Sequence, residues 1–216
     1  MIIIGAKGFA KEVLEVIWQK NSYNEILFFD NVTQNLGDLV YEKFRILKDF
    51  EQVKSYFSSQ DDRTFTLGIG NPVYRYQLYS QFAKLGGIFT STISPYAHIG
   101  HFGNSIGEGC NIMTGSIITN SVRIERGVLI NLNCTIGHDS QIGEFVEMSP
   151  GTSISGNCTI GRCCVFGTNS TVLPKVTIGE NVIVGAGAVV VKDVPDNSLV
   201  VGIPGVVKKE LPPLNL

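Results

Sequence analysis

The sequence predicts an α/β chain in two parts: a small Rossmann-like unit over residues 1–93, then a left-handed parallel β-helix with a C-terminal tail over residues 94–216. Two patterns carry that prediction. Before about residue 90, short apolar runs alternate with helical spacings, which implies a small parallel sheet with crossover helices. From Ile106 onward, a large apolar residue returns at every sixth position. With 216 residues and 44% hydrophobic content, the chain can bury a core in each part.

Taken in order, MIIIG reads as a short buried strand, GFAKEVLEVIWQK as an amphipathic helix and EILFFD as a second strand ending at Asp30. After a polar stretch, TFTLGIGN supplies a strand and a turn, PVYRYQLYSQFAKLG a helix, and GIFTSTI a last strand. SPYAHIGHFGN, residues 94 to 104, then leads into the repeat.

The repeat runs Ile106, Ile112, Ile118 and onward through Met148 and Phe166 to Val190 without a slip. Four residues after each comes a small or β-branched residue, from Cys110 and Ser116 to Val194. Three hexapeptides make one triangular coil, and successive coils stack as parallel strands about 4.8 Å apart. Residues 106 to 195 therefore make five coils. Large side chains fill the prism, and only small ones fit beside them. Four of the five cysteines, Cys110, Cys134, Cys158 and Cys164, occupy the small position and read as core residues, not as a disulfide or a nucleophile.

Composition excludes several classes. Lys and Arg total 17 against 19 Asp and Glu, a net charge of −2 with no basic run, so nucleic acid is not an expected partner. MIIIGA lacks the basic flank and cleavage site of a signal peptide, and no stretch approaches the roughly 20 apolar residues of a membrane span. An odd number of cysteines without CxxC spacing fits a reduced, cytoplasmic protein. Zinc enzymes of the γ-type carbonic anhydrase class also use hexapeptide coils and three histidines. Here His98 and His101 precede the regular coils and His138 lies about two coils further on, so no metal site is expected.

The remaining residues suggest chemistry. In parallel α/β sheets ligands sit at the carboxyl ends of the strands, where helix N-termini offer free N–H groups. GAKGFA occupies that place with Gly5 and Gly8, but Lys7 and Ala10 replace the second and third glycines of a dinucleotide fingerprint, so NAD is not inferred. Asp30 can accept hydrogen bonds from a ribose or a base, and Gly70 and Asn71 open on the same edge. Together these favour a nucleotide or nucleotide sugar over an empty turn. His138, in NCTIGHDSQIGEF, is either a base or a solvated turn residue. Gly156 lies eighteen residues later and so stacks one coil above at the same corner, where the missing side chain exposes an N–H suited to an oxyanion.

The order GAKGFAKEV, FFDN, GIGNPVYR, IGHD and VGIPG resembles that of bacterial nucleotide-sugar N-acetyltransferases of the bacillosamine type, and of the related sialic acid O-acetyltransferases, over essentially the whole chain. The resemblance implies a homotrimer that uses acetyl-CoA to N-acetylate a UDP- or dTDP-linked amino sugar, a 4-amino-4,6-dideoxy hexose, in surface-glycan biosynthesis. O-acetylation of sialic acid or another glycan is the alternative within the family, and a non-catalytic sugar-nucleotide-binding solenoid the alternative outside it. Carried over by position, His138 matches the general base, Asp139 its acidic partner and Asn131 a residue near the amine. Gly156, Thr168 and Ala186 match positions along the acetyl-CoA channel, and Gly5, Gly8, Asp30, Gly70 and Asn71 the nucleotide turns. Two positions depart: Glu147 stands on the cofactor side where relatives often have a second histidine, and Phe9 where they often have one in the first glycine turn. Thr168 and Ala186 are out of phase with His138 in the eighteen-residue coil, which places base and channel wall at different corners, to be joined between subunits.

Overall fold

The computed structural model of the chain describes residues 1–20 and 25–216. Its first part contains β1 (Ile2–Ile4), α1 (Gly8–Gln19), β2 (Leu27–Phe29), β3 (Leu39–Val40), β4 (Phe44–Leu47), α2 (Phe50–Ser59), β5 (Thr64–Leu67), α3 (Pro72–Lys84) and β6 (Ile88–Phe89). The strands order as β3-β4-β2-β1-β5-β6, parallel except where β3 pairs antiparallel with β4 at the edge. Strands β1 and β2 are apolar and buried throughout, as a strand covered on both faces must be. Helix α1 buries Ala10, Val13, Leu14 and Ile17, the i, i+3, i+4, i+7 stripe, against this sheet.

The structure corrects the sequence reading at two places. The polar stretch after Asp30 contains β3, β4 and α2. Helix α2 buries only Val53 and Phe57, so its stripe is too thin to stand out, and its start is set by Asp49, whose carboxylate accepts from Gln52 N at 2.8 Å. The run GIFTSTI also does not form one strand. Ile88–Phe89 pairs with β5, whereas Thr92–Ile93 pairs with Asn111–Ile112 and opens the solenoid.

The first coil thus begins at Thr92, ahead of both Ile106 and the expected boundary after residue 93. Its register explains why it escaped the six-step reading. Ile93 and Ile99 pair with Ile112 and Ile118, nineteen residues on, while Ile106 pairs with Ile124, eighteen on. The extra residue is taken up between Ile99 and Ser105.

Above that coil the prism is regular. Its first face carries Asn111–Ile112, Leu129–Ile130, Glu147–Met148, Val165–Phe166 and Ile183–Val184; its second, Ile117–Ile118, Thr135–Ile136, Ser153–Ile154, Thr171–Val172 and Val189–Val190; its third, Arg123–Ile124, Gln141–Ile142, Thr159–Ile160 and Thr177–Ile178. The second residue of each pair points inward and joins one continuous core with Cys110, Val128, Cys134, Val146, Cys158 and Cys164. Each large aliphatic side chain so buried stabilises by about 1.5–3 kcal/mol. Burial pushes the Cys134 thiol up to about 11 and that of Cys164 to about 12, so neither supplies a thiolate.

Corners turn through a left-handed residue at their third position, among them Asn133, Asp139, Asn157 and Asn169, types that tolerate positive φ. Phe145 does so at φ 55°, unusual for a bulky residue, and its ring lies 5.5 Å from Tyr76 and 5.7 Å from Tyr79 of α3. On the other side of the contact, Val16 of α1 packs with Met113 and Leu129. The α/β part therefore sits against the first face and the corner before it.

Candidate functional site

Two turns at the carboxyl edge of the sheet form a cleft of about 660 Å³, lined by Gly5, Asp30, Asn31, Val32, Gly70, Asn71 and neighbours from α3. Gly5 has φ +104°, and a Cβ there would meet Gly68 O at 2.8 Å, so only glycine fits this close approach of β1 and β5. Of the five nucleotide-side residues expected from sequence, Gly5, Asp30, Gly70 and Asn71 line the cleft. Gly8 lies outside that lining, at the open start of α1, whose first turn has no side-chain cap.

Asp30 and Asn71 also have local work. The Asp30 carboxylate accepts from Val32 N at 3.2 Å, Thr33 N at 2.9 Å and Thr33 Oγ1 at 2.9 Å, which shapes the loop that walls the cleft. Asn71 Oδ1 caps α3 by accepting from Val73 N at 3.0 Å and Tyr74 N at 3.2 Å.

His138 stands at the corner between the second and third faces, 63% exposed. Its Nδ1 is 2.7 Å from Asp139 Oδ2, a carboxylate aimed back because Asp139 takes the left-handed corner conformation at φ 59°. Nδ1 then carries the proton, leaving the Nε2 lone pair free. The ring lies over Gly156: a Cβ there would be 2.7 Å from Nε2. The Gly156 N–H has no acceptor among the described residues. One corner thus presents an oriented imidazole nitrogen beside an unused backbone donor, the two parts an acyl transfer needs.

Asn131, Thr168 and Ala186 lie at the corner between the first and second faces, one face-width away from His138 in the same chain. Thr168 and Ala186 are exposed; Asn131 is half-buried and its Oδ1 accepts from Leu132 N at 2.8 Å. Glu147 is at neither corner. It projects from the first face beside the cleft, where a Cβ on Gly70 would be 3.5 Å from its Oε1. Burial raises its carboxyl above the usual range, opposed by Arg75 and by Ser149, whose Oγ donates to Oε1 at 3.4 Å.

Arg75 is the residue that sequence reasoning passed over. Fully buried, it donates from Nη1 to Ile69 O at 2.9 Å and from Nη2 to Gly127 O at 2.6 Å, tying the Gly70 turn to the solenoid. Burial pushes its guanidinium down to about 10. The signal was present in α3, because Arg75, Tyr79 and Phe82 fall at i, i+4 and i+7 on its inner face. No cluster of three or more His, Cys, Asp or Glu that could hold a metal occurs among the described residues. No helix among them is long and apolar enough to cross a membrane.

Residues 1–82 match the family model described as the PglD N-terminal domain, and residues 157–192 that of the bacterial transferase hexapeptide (six repeats). No curated protein matches the chain. Among solved structures, the acetyltransferase domain of PglB from Neisseria gonorrhoeae is 31% identical over 96% of this chain and 98% of that one, with a TM-score of 0.86. The chain belongs to this family of hexapeptide-repeat acyltransferases. The family extends to PerB from Caulobacter crescentus, solved with CoA and GDP-perosamine, at 27% identity over 96% of each chain with a TM-score of 0.85. WeeI from Acinetobacter baumannii is 28% identical over 96% of this chain and 98% of that one, with a TM-score of 0.87. The PglB domain is also solved with acetyl coenzyme A, at 32% identity.

Proposed function

We propose that this acyltransferase moves the acetyl group of acetyl-CoA onto the amine of a nucleotide-linked amino sugar, with His138 as general base. The observation that carries the reading is the His138 corner, where Asp139 fixes the ring and Nε2, without a hydrogen-bond partner among the described residues, lies over Gly156. The amine nitrogen attacks the thioester carbonyl; its proton passes to Nε2 and then to the departing sulfur, so a C–N bond replaces the C–S bond and CoA leaves as a thiol. The Gly156 N–H faces the oxygen that becomes negative between the two.

The cleft between the Gly5 and Gly70 turns takes the nucleotide, and the uncapped start of α1 offers its N–H groups to the diphosphate. Relatives bound to acetyl-CoA and to GDP-perosamine support both ligand classes, and they add GDP to the UDP and dTDP expected from sequence. Thr168 and Ala186 belong to the acyl-donor channel, and Asn131 lies near the reacting amine.

The site is completed in a homotrimer. The second face presents Ile117, Thr135, Ser153, Thr171 and Val189, uncharged and small or apolar, while the third face exposes Arg123 and Gln141. Turning the second face toward a threefold axis brings the His138 corner of one subunit to the Ala186 corner of the next. We assign the protein to the cytoplasm, where acetyl-CoA and reduced thiols are found, and to the building of bacterial surface glycans.

The test is incubation with acetyl-CoA and a panel of GDP-perosamine, dTDP-4-amino-4,6-dideoxyglucose and UDP-linked 4-amino sugars. One acetyl group per sugar, resistant to hydroxylamine as an amide is, supports the reading. A hydroxylamine-labile product is an ester and favours O-acetylation instead.

A further inference from the structure

Glu147 stands beside a cleft assigned to an anionic ligand. Among the described residues Asp30 is the one charged residue lining that cleft, and its oxygens already hold the 31–33 loop. Glu147, just beyond the lining against Gly70, is half-buried and, among the described residues, receives a single long hydrogen bond, 3.4 Å from Ser149 Oγ. A half-buried carboxylate with so few donors has acceptor capacity to spare. Its charge repels a diphosphate, so its favourable partner is a cation. The Arg75 guanidinium is near enough to attract it, but its hydrogen bonds go to Ile69 O, Gly127 O and Asn111 Oδ1. Arg75 therefore offsets the charge at a distance but donates nothing to the carboxylate, and a cation that does donate is one a ligand can bring.

We propose that Glu147 selects the amino sugar, its ionised carboxylate pairing with the sugar's ammonium group at the end of the cleft beyond Gly70. The assignment rests on the functional reading above and moves Glu147 from the acyl donor to the acceptor. A primary amine on a sugar is largely protonated near neutrality, so the amine arrives as a cation. Pairing draws it in with the nucleotide anchored behind. The ammonium then gives its extra proton to solvent, and the free amine attacks while Glu147 stays ionised. Arg75 acts through Ile69 as a positioning residue, holding the Gly70 turn at a fixed distance from the carboxylate.

The experiment compares wild type, Glu147→Gln and Glu147→Asp on whichever panel sugar the wild type acetylates, and measures binding of the matching free nucleoside diphosphate by calorimetry. A hydrogen bond between charged groups contributes about 1.5–3 kcal/mol, so Glu147→Gln is expected to raise KM for the amino sugar roughly 10- to 100-fold. KM for acetyl-CoA and the Kd of the nucleoside diphosphate should stay within about twofold, and Glu147→Asp, which keeps the charge, should recover part of the loss. An unchanged sugar KM in Glu147→Gln overturns the assignment. So does a rise confined to acetyl-CoA, or equal weakening of the free diphosphate, which marks a merely structural role. Wild type that acetylates no panel sugar removes the functional reading itself, a failure distinct from the others.

Discussion

Replacing Gly156 with alanine tests the corner without replacing a titratable group. The new Cβ would stand 2.7 Å from His138 Nε2, 2.9 Å from Cε1 and 3.1 Å from Cδ2. Carbon and ring atoms in contact prefer about 3.5 Å, so the imidazole must move by roughly 0.8 Å or swing away. Folding should tolerate this. Gly156 does not use the left-handed region, and the ring it displaces is 63% exposed within its own subunit and takes no part in the core. Stability should change by no more than about 0.5 kcal/mol, as for an ordinary surface substitution. Catalysis should not tolerate it, because a misplacement near 1 Å in a reacting group costs on the order of 10² in rate. Thermal melting and steady-state release of CoA thiol, both substrates saturating, measure the two effects. A melting temperature near that of wild type with kcat down about 100-fold is expected. Wild-type kcat in a folded Gly156→Ala protein would refute the placement of the reacting nitrogen at this corner.

Other consequences follow from the same geometry. Co-expressed His138→Ala and Ala186→Trp chains, each nearly inactive alone, should regain about one quarter of wild-type activity in random mixed trimers, since half the corners of each kind are intact and half times half is a quarter. Verified mixed trimers no more active than their parents would refute a site shared between subunits. Asp30→Ala should raise KM for the sugar nucleotide and leave that for acetyl-CoA unchanged; because Asp30 works through its loop, Thr33→Val should reproduce part of the effect. Glu147→Gln should melt above wild type near neutrality. Burial raises this carboxyl in the folded state, so ionisation opposes folding above that raised value, and the difference should vanish as pH falls through it to the ordinary carboxylate range. A variant melting below wild type at neutral pH would contradict that sign.

The solenoid was legible because its period is a packing constraint repeated at every coil: Ile112 to Val190 all point inward, as their spacing requires. Where one extra residue enters between Ile99 and Ser105 the arithmetic fails, and the first coil was missed although its strands pair normally. The same modular counting placed His138 and Gly156 together and kept Thr168 and Ala186 apart, because corners follow from phase alone. Glu147 could not be placed this way. Phase puts it on the first face, but its meeting with Gly70 depends on how the α/β part docks, a contact set by Val16, Phe145 and buried Arg75 from distant segments. Asp30 lines the cleft, yet its bonds to Thr33 belong to loop geometry that residue type does not reveal.

The most direct measurement of the account is kcat of His138→Ala with acetyl-CoA and an accepted amino sugar both saturating. Within its own subunit the side chain is 63% exposed and outside the core, so the protein should fold and melt as wild type does. Loss of a general base predicts a fall of roughly 10² to 10⁴. A folded His138→Ala protein that turns over at the wild-type rate would contradict the assignment of the base.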